Sequence, residues 1–192
     1  PLDWLDDYYL DGSHLGGHVT AHGIPGVEFS TGALGHALPF GVGRALADAI
    51  DGVDRRVFVV LSDGECAEGS NWEAALLASH HRLANVSVIV DRNRLQILGR
   101  TEDVLGLEPF ADKWRAFGWS VVEVDGHDHA ALALALEQDT GGRPRAVIAH
   151  TTKGKGVDFM EDKVEWHTLV PDAAHLAAAV GQLTVDSSEV PA

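Results

Sequence analysis

The sequence predicts an α/β fold, a mostly parallel β-sheet with helices on both faces. Two apolar, β-branched runs, Val57-Phe58-Val59-Val60-Leu61 and Val86-Ser87-Val88-Ile89-Val90, flank a helix-length segment. Strands alternating with helical patterns specify β-α-β units, whose parallel strands are covered on both sides. Both runs stop at turn-forming residues, Ser62-Asp63-Gly64 and Asp91-Arg92-Asn93. With 192 residues, 45% of them hydrophobic, and 21 glycines, the chain can bury the core of one ordinary domain.

Taken in order, residues 3–10 read as a short helix, 12–35 as a Gly/His-rich loop region and 41–50 as an Ala-rich helix. The strand at 57–61, the helix at 70–83 and the strand at 86–90 follow. Residues 110–117 read as a short helix, 120–124 as a strand, 128–138 as an Ala/Leu-rich helix and 145–150 as a strand. A Lys/Gly turn covers 153–156, and a helix with Pro at its start covers 171–183. One domain over 1–184 and a flexible tail over 185–192 are expected.

The formal net charge of −15 argues against nucleic acid or an anionic membrane as partner. No apolar run is long enough to span a membrane. A single cysteine, Cys66, rules out an internal disulfide framework and agrees with a cytoplasmic location. No His-Asp relay is placed to activate Cys66 as a nucleophile. His80-His81 are adjacent in a helix and do not share a face, which argues against a metal site there.

The chemistry is concentrated in Asp63-Gly64 and Asn93, thirty positions apart. A β-α-β unit brings two such strand exits together at the carboxyl edge of the sheet, where open α/β sheets bind ligands. A carboxylate and an amide oxygen are hard donors, suited to Mg²⁺ bridging a diphosphate rather than to Zn²⁺. Each turn alone is unremarkable, but Glu65-Cys66-Ala67-Glu68-Gly69-Ser70-Asn71-Trp72-Glu73 follows without a gap, placing acids and a Gly at a helix start.

With that run in place, residues 63–99 resemble the thiamine-diphosphate motif of the transketolase family. Pro25-Gly26-Val27-Glu28 and Thr31-Gly32-Ala33-Leu34-Gly35 are similar to the family's cofactor loop. Gly17-His18 and the run Lys153-Gly154-Lys155-Gly156-Val157, Phe159-Met160-Glu161 and Trp166-His167 resemble further motifs in the family's order. The resemblance implies a thiamine-diphosphate-binding fold with Asp63, the side-chain oxygen of Asn93 and the carbonyl of Leu95 as ligands of Mg²⁺, or of Ca²⁺ or Mn²⁺. It assigns Gly64 a backbone N–H to the diphosphate, and Gly32, Ala33 and Leu34 contact with the thiamine. By the same resemblance His18 lies near the thiazolium and substrate hydroxyls, and His167 reaches the diphosphate and a substrate hydroxyl. Glu68 and Glu73 match acids that approach the subunit interface and link two thiamine sites, although first-turn acids also suit a helix dipole. Ser62 and His36-Ala37 depart from the family's pattern.

In this family a second, pyrimidine-binding domain supplies the glutamate that activates the cofactor, and the chain ends at Ala192 without it. The resemblance therefore implies the amino-terminal subunit of a split transketolase, completed by a carboxy-terminal subunit in a heterotetramer. Its reaction would move a two-carbon ketol unit from a ketose, often phosphorylated, to an aldehyde. The family's amino-terminal segment is expected to be missing before Pro1. The α subunit of a 2-oxo acid dehydrogenase and a non-catalytic scaffold are the competing readings.

Overall fold

The structure is a computed structural model that describes residues 1–184; the expected tail at 185–192 lies outside the described residues. Helix α1 (Ala37–Asp51) leads into strand β1 (Val57–Ser62), a 3-10 turn (Gly64–Ala67), α2 (Gly69–His80) and β2 (Val86–Arg92). A hairpin of β3 (Leu95–Gln96) and β4 (Gly99–Arg100) comes next, then α3 (Thr101–Val104), α4 (Phe110–Ala116), β5 (Ser120–Asp125) and α5 (His129–Glu137). Strand β6 (Arg145–His150), a 3-10 turn (Val164–His167) and α6 (Ala173–Leu183) complete the order.

The main sheet runs β1-β2-β6-β5, with every neighbouring pair parallel, as the strand composition predicts. Side chains alternate across a strand. Val59, Leu61, Val86, Val88, Val90, Ala146 and Ile148 accordingly meet Leu38 and Val42 of α1, Ala75 and Ala78 of α2, and Phe110 and Trp114 of α4 in one core. Helix α5 takes the opposite face. There Arg145 donates to the Ser87 hydroxyl at 3.0 Å and to the carbonyl of Gln138, the residue after α5. Cover on that face is partial at β1, where Phe58 and Val60 stay exposed. A cleft of about 720 Å³ runs along this edge between Val27, Phe29, Phe40 and Phe58, and none of the expected metal ligands lines it.

Several boundaries differ from the sequence reading. In place of a helix over 3–10 there is one 3-10 turn, Leu2–Leu5, which buries no residue. With no apolar face to pack, such a segment gains little from propagating a helix. Helix α1 starts at Ala37, four residues before the expected position 41. Pro39 is tolerated in its first turn, where the N–H has no intrahelical acceptor, and Leu38 fills the core. Helix α6 starts at Ala173 because the Asp172 carboxylate accepts the His175 N–H at 2.8 Å and caps the helix, which leaves Pro171 outside it. Helix α2 stops at His80, and Arg82 takes a positive φ of 52° beyond it. The β3–β4 hairpin was not expected; Gly99, at φ 138°, makes it possible.

Candidate active site

Parallel register sets Ser62 beside Asp91, and Arg92 beside His150, so the exits of β1, β2 and β6 share one edge. The Asp63 N–H continues the ladder by donating to the Asp91 carbonyl at 3.1 Å. Its carboxylate is fully buried. Oδ2 accepts the Arg94 N–H at 2.6 Å and the Arg92 guanidinium at 3.0 Å, and Oδ1 accepts the Gly64 N–H at 2.7 Å. Asn93 Oδ1 accepts the Leu95 N–H at 2.9 Å, while its amide donates to Asp91 Oδ1 at 3.1 Å. Asp91 Oδ1 also accepts the Thr151 hydroxyl, which ties in the exit of β6. Asp63, Gly64 and Asn93 therefore converge as the spacing implied, with Leu95 bonded to the Asn93 side chain. One detail differs: the Gly64 N–H expected to serve a diphosphate is engaged by Asp63, which caps the 3-10 turn beginning at Gly64.

Burial pushes the Asp63 carboxyl above its ordinary range, against the Arg94 N–H and the Arg92 guanidinium, which pull it down. Burial also works against the Arg92 charge, but hydrogen bonds to Glu108, Asp63 and Glu102 more than offset it and raise its pKa. Desolvation keeps the buried Cys66 thiol protonated, with Glu65 and Asp63 adding to the effect, so it is no nucleophile.

The loop over 25–35 is anchored to this edge through Gly35. The Gly35 N–H donates to Glu65 Oε1 at 2.9 Å, and its carbonyl accepts the Ser70 hydroxyl at 2.6 Å. A Cβ at Gly35 would stand 2.6 Å from the Ser70 hydroxyl and 2.7 Å from Glu68 Cβ, which leaves room only for glycine. His18 packs on the backbone of Gly32, where a Cβ would fall 2.0 Å from the imidazole. His18, Gly32, Ala33 and Leu34 thus form a second, exposed group. Glu68 precedes α2 with its side chain exposed and making no capping bond, and Glu73 is exposed on the same helix.

The turn carrying His167 packs on β3, next to Leu95 and Gln96. Gln96 in turn backs Gly64, whose added Cβ would meet its Oε1 at 3.0 Å. Burial, followed by the charge of Lys153, holds His167 below the ordinary histidine pKa. His18 and His167 sit in different groups, and no hydrogen bond or ion pair among the described residues joins them. Asn93, Arg94, Arg100, His127, His150 and Lys155 border a polar cleft of about 580 Å³ at the same edge.

Sequence reasoning missed Arg92, Glu65 and Ser70. Arg92 carried a readable signal: it continues the inward alternation of Val86, Val88 and Val90, and a cation on a buried face requires a buried partner. Glu65 and Ser70 reach a loop more than 29 residues away, and no local pattern marks that pairing.

The donor set fits a hard divalent cation. Asp63 Oδ1 and Asn93 Oδ1 each accept one N–H, so each keeps a free lone pair. Among the described residues no three His, Cys, Asp or Glu side chains converge on a metal position, so a cation here relies on amide and main-chain oxygens as well. The space beside Gly64 is taken by Gln96 and that beside Gly32 by His18, so each glycine lets one of the chain's own side chains lie against its backbone.

Residues 1–191 match the family described as transketolase, thiamine diphosphate binding domain. The chain is 46% identical over 184 residues to one of the subunits of apulose-4-phosphate transketolase from Actinobacillus succinogenes, covering 95% of this chain and 67% of that protein. It is 37% identical over 185 residues to the 6-deoxy-6-sulfo-D-fructose transketolase subunit SqwG of a Clostridium species, again covering 95% and 67%. The fold matches the crystal structure of transketolase from Campylobacter jejuni with a TM-score of 0.87 at 30% identity, over 94% of this chain and 30% of that one. The chain spans about two thirds of the curated relatives. It belongs to the transketolase family of transferases, within that family's thiamine diphosphate-binding domain.

Proposed function

We propose that residues 1–184 form the domain that holds the diphosphate and divalent cation of thiamine diphosphate in a two-component transketolase. A separate carboxy-terminal subunit then carries the pyrimidine-binding domain and the activating glutamate. The observation that carries this reading is the meeting of Asp63, Gly64 and the Asn93–Leu95 turn in one buried corner, through the 2.6 Å bond from the Arg94 N–H to Asp63. Asp63, the Asn93 side-chain oxygen and the Leu95 carbonyl hold the cation, and Gly64 lets the backbone approach the diphosphate. Gly32, Ala33 and Leu34 line the thiamine side, His18 and His167 serve substrate hydroxyls, and Glu68 links the site to its neighbour across the interface. Bound thiamine diphosphate supplies the group that takes up and releases the two-carbon unit.

The substrates of this reading are ketoses, phosphorylated or otherwise acidic, as donors and aldehydes as acceptors; two relatives are named for apulose 4-phosphate and for a sulfonated fructose. Both of those relatives are named as subunits, which supports a complementary polypeptide here; the assembly of this reading is a heterotetramer with cofactor sites between subunits. Among the described residues no helix is long and apolar enough to cross a membrane, and the unpaired Cys66 favours the cytoplasm.

Calorimetry with Mg²⁺ and thiamine diphosphate, with and without the complementary subunit, tests the reading. Heat that grows when the partner is added, together with ketol transfer from xylulose 5-phosphate, is the expected result. Pyruvate decarboxylation instead favours a 2-oxo acid dehydrogenase, and no heat in either mixture favours a scaffold. Asp63→Ala is expected to lose metal-dependent cofactor binding with its far-ultraviolet circular dichroism unchanged, and undiminished affinity overturns the ligand assignment.

A further inference from the structure

Arg92 sits at the end of β2 with its side chain 1% exposed, beside an Asp63 side chain that is 0% exposed. Its two terminal nitrogens make four bonds. Nη1 donates to Asp63 Oδ2 at 3.0 Å and to the Thr101 hydroxyl at 2.8 Å; Nη2 donates to Glu102 at 3.0 Å and to Glu108 at 2.8 Å. The guanidinium also lies 5.3 Å from the centre of the Phe110 ring. Glu102 and Glu108 are fixed in turn: they accept the N–H groups of Leu107 and Phe110 at 3.1 and 2.8 Å. One side chain thus joins the β1 exit, the β2 exit, α3 and the start of α4.

The three carboxylates are not equivalent. Glu102 and Glu108 keep 41% and 56% of their side chains in water, while Asp63 keeps none. Solvent can support the two glutamates if Arg92 is lost, but nothing in the solvent can support Asp63. A buried carboxylate deprived of its cationic partner is strongly destabilising, and the guanidinium's planar fork is the group able to serve several acceptors at once.

We propose that Arg92 is a resident counter-cation of the candidate metal corner. It balances Asp63 on Oδ2 and leaves Oδ1 facing Gly64, so the turns that gather the cation's ligands stand assembled before any divalent ion arrives. Arg92 is a positioning residue acting through Asp63. This inference rests on the reading that Asp63 belongs to the metal corner, and it predicts that the protein takes up metal and cofactor without refolding.

The test is thermal unfolding of the intact protein in chelator, in millimolar Mg²⁺, and in Mg²⁺ with thiamine diphosphate, for wild type, Arg92→Met, Arg92→Lys and Arg92→Met with Asp63→Asn. In chelator Arg92→Met is expected to melt about 10 °C below wild type, and Arg92→Lys, which keeps the charge, to recover at least half of the loss. Adding Asp63→Asn to Arg92→Met is expected to raise the midpoint again, because no uncompensated anion remains. Mg²⁺ with cofactor is expected to stabilise Arg92→Met more than wild type, since the divalent ion then replaces the missing charge. If Arg92→Met yields no folded protein, the chelator series is read on the double variant, which must fold and melt closer to wild type than Arg92→Lys does. The proposal is overturned if Arg92→Lys is as damaged as Arg92→Met, if Asp63→Asn restores nothing, or if metal raises both midpoints equally. A wild type indifferent to Mg²⁺ and cofactor both alone and with the complementary subunit overturns the functional reading instead, and the chelator series then judges Arg92 alone.

Discussion

Lys153, in the turn after β6, places its charge where His167 feels it, and the consequence can be worked out in sign. Desolvation disfavours the imidazolium, and the neighbouring Lys153 cation adds to it, so His167 titrates below an ordinary histidine. At neutral pH it is therefore largely neutral, with one ring nitrogen free to accept a proton or a hydrogen bond. A nuclear magnetic resonance titration is expected to give His167 a midpoint below that of an ordinary histidine. Lys153→Ala is expected to move that midpoint upward without restoring the ordinary value, because the desolvation remains. A midpoint that stays put in the variant means that burial alone sets it. Gly35 is the other residue whose identity is decided locally. Its φ of 81° and the 2.6 Å approach of the Ser70 hydroxyl exclude any side chain, and its two hydrogen bonds hold the loop over 25–35 on the edge where β1 ends.

Helices α2 and α4 are joined by an aromatic cluster, and two of its members differ in one polar respect. Trp114 and Trp119 are both buried, and their rings stack edge to face with centroids 5.1 Å apart. The Trp119 indole N–H donates to the Ala75 carbonyl at 3.0 Å, whereas the Trp114 N–H has no acceptor among the described residues. Exchange to Phe removes similar volume at both sites but removes a buried hydrogen bond only at position 119. Trp119→Phe is therefore expected to cost about 1 kcal/mol more than Trp114→Phe in urea denaturation. Equal losses mean that packing alone decides. The caps belong to the same scale. Asp128 and Asp172 each accept the first free N–H groups of their helices, and Asp128 was legible from its position ahead of the Ala/Leu-rich run. The α1 boundary was not, because Gly41 inside a helix reads as a start signal. In the fold it is instead the point where the helix touches β1: a Cβ there would lie 2.5 Å from Val59.

Across the whole molecule, the parallel strands put Asp63, Asn93 and Leu95 at one end, and helix α2 leaves apolar side chains in water. On α2, Glu73, Leu76 and Leu77 face outward, with the two leucines 57% and 43% exposed. This is the helix to which the resemblance assigns acids at the subunit interface. Under the split-enzyme reading, Leu77→Asp is expected to weaken association with the complementary subunit by roughly tenfold or more, with the unfolding midpoint of the isolated protein unchanged. Sedimentation velocity of the mixed subunits measures this, and undiminished association assigns the contact to another face.

The sequence by itself determined the four strands of the main sheet, their order along the chain and the residues at their exits. A β-branched run between turn formers has few alternatives, and the spacing of Asp63 and Asn93 follows from one β-α-β unit. Tertiary structure alone decided what those exits touch. Insertion of β6 between β2 and β5 brings Thr151 to Asp91; the 3-10 turn after Asp63 turns Glu65 toward Gly35; and the buried edge assigns Arg92 to Asp63, Glu102 and Glu108 together. The reason is physical: a strand or a cap is settled by neighbours a few residues away, whereas the partner of a buried charge depends on which distant segments are packed beside it.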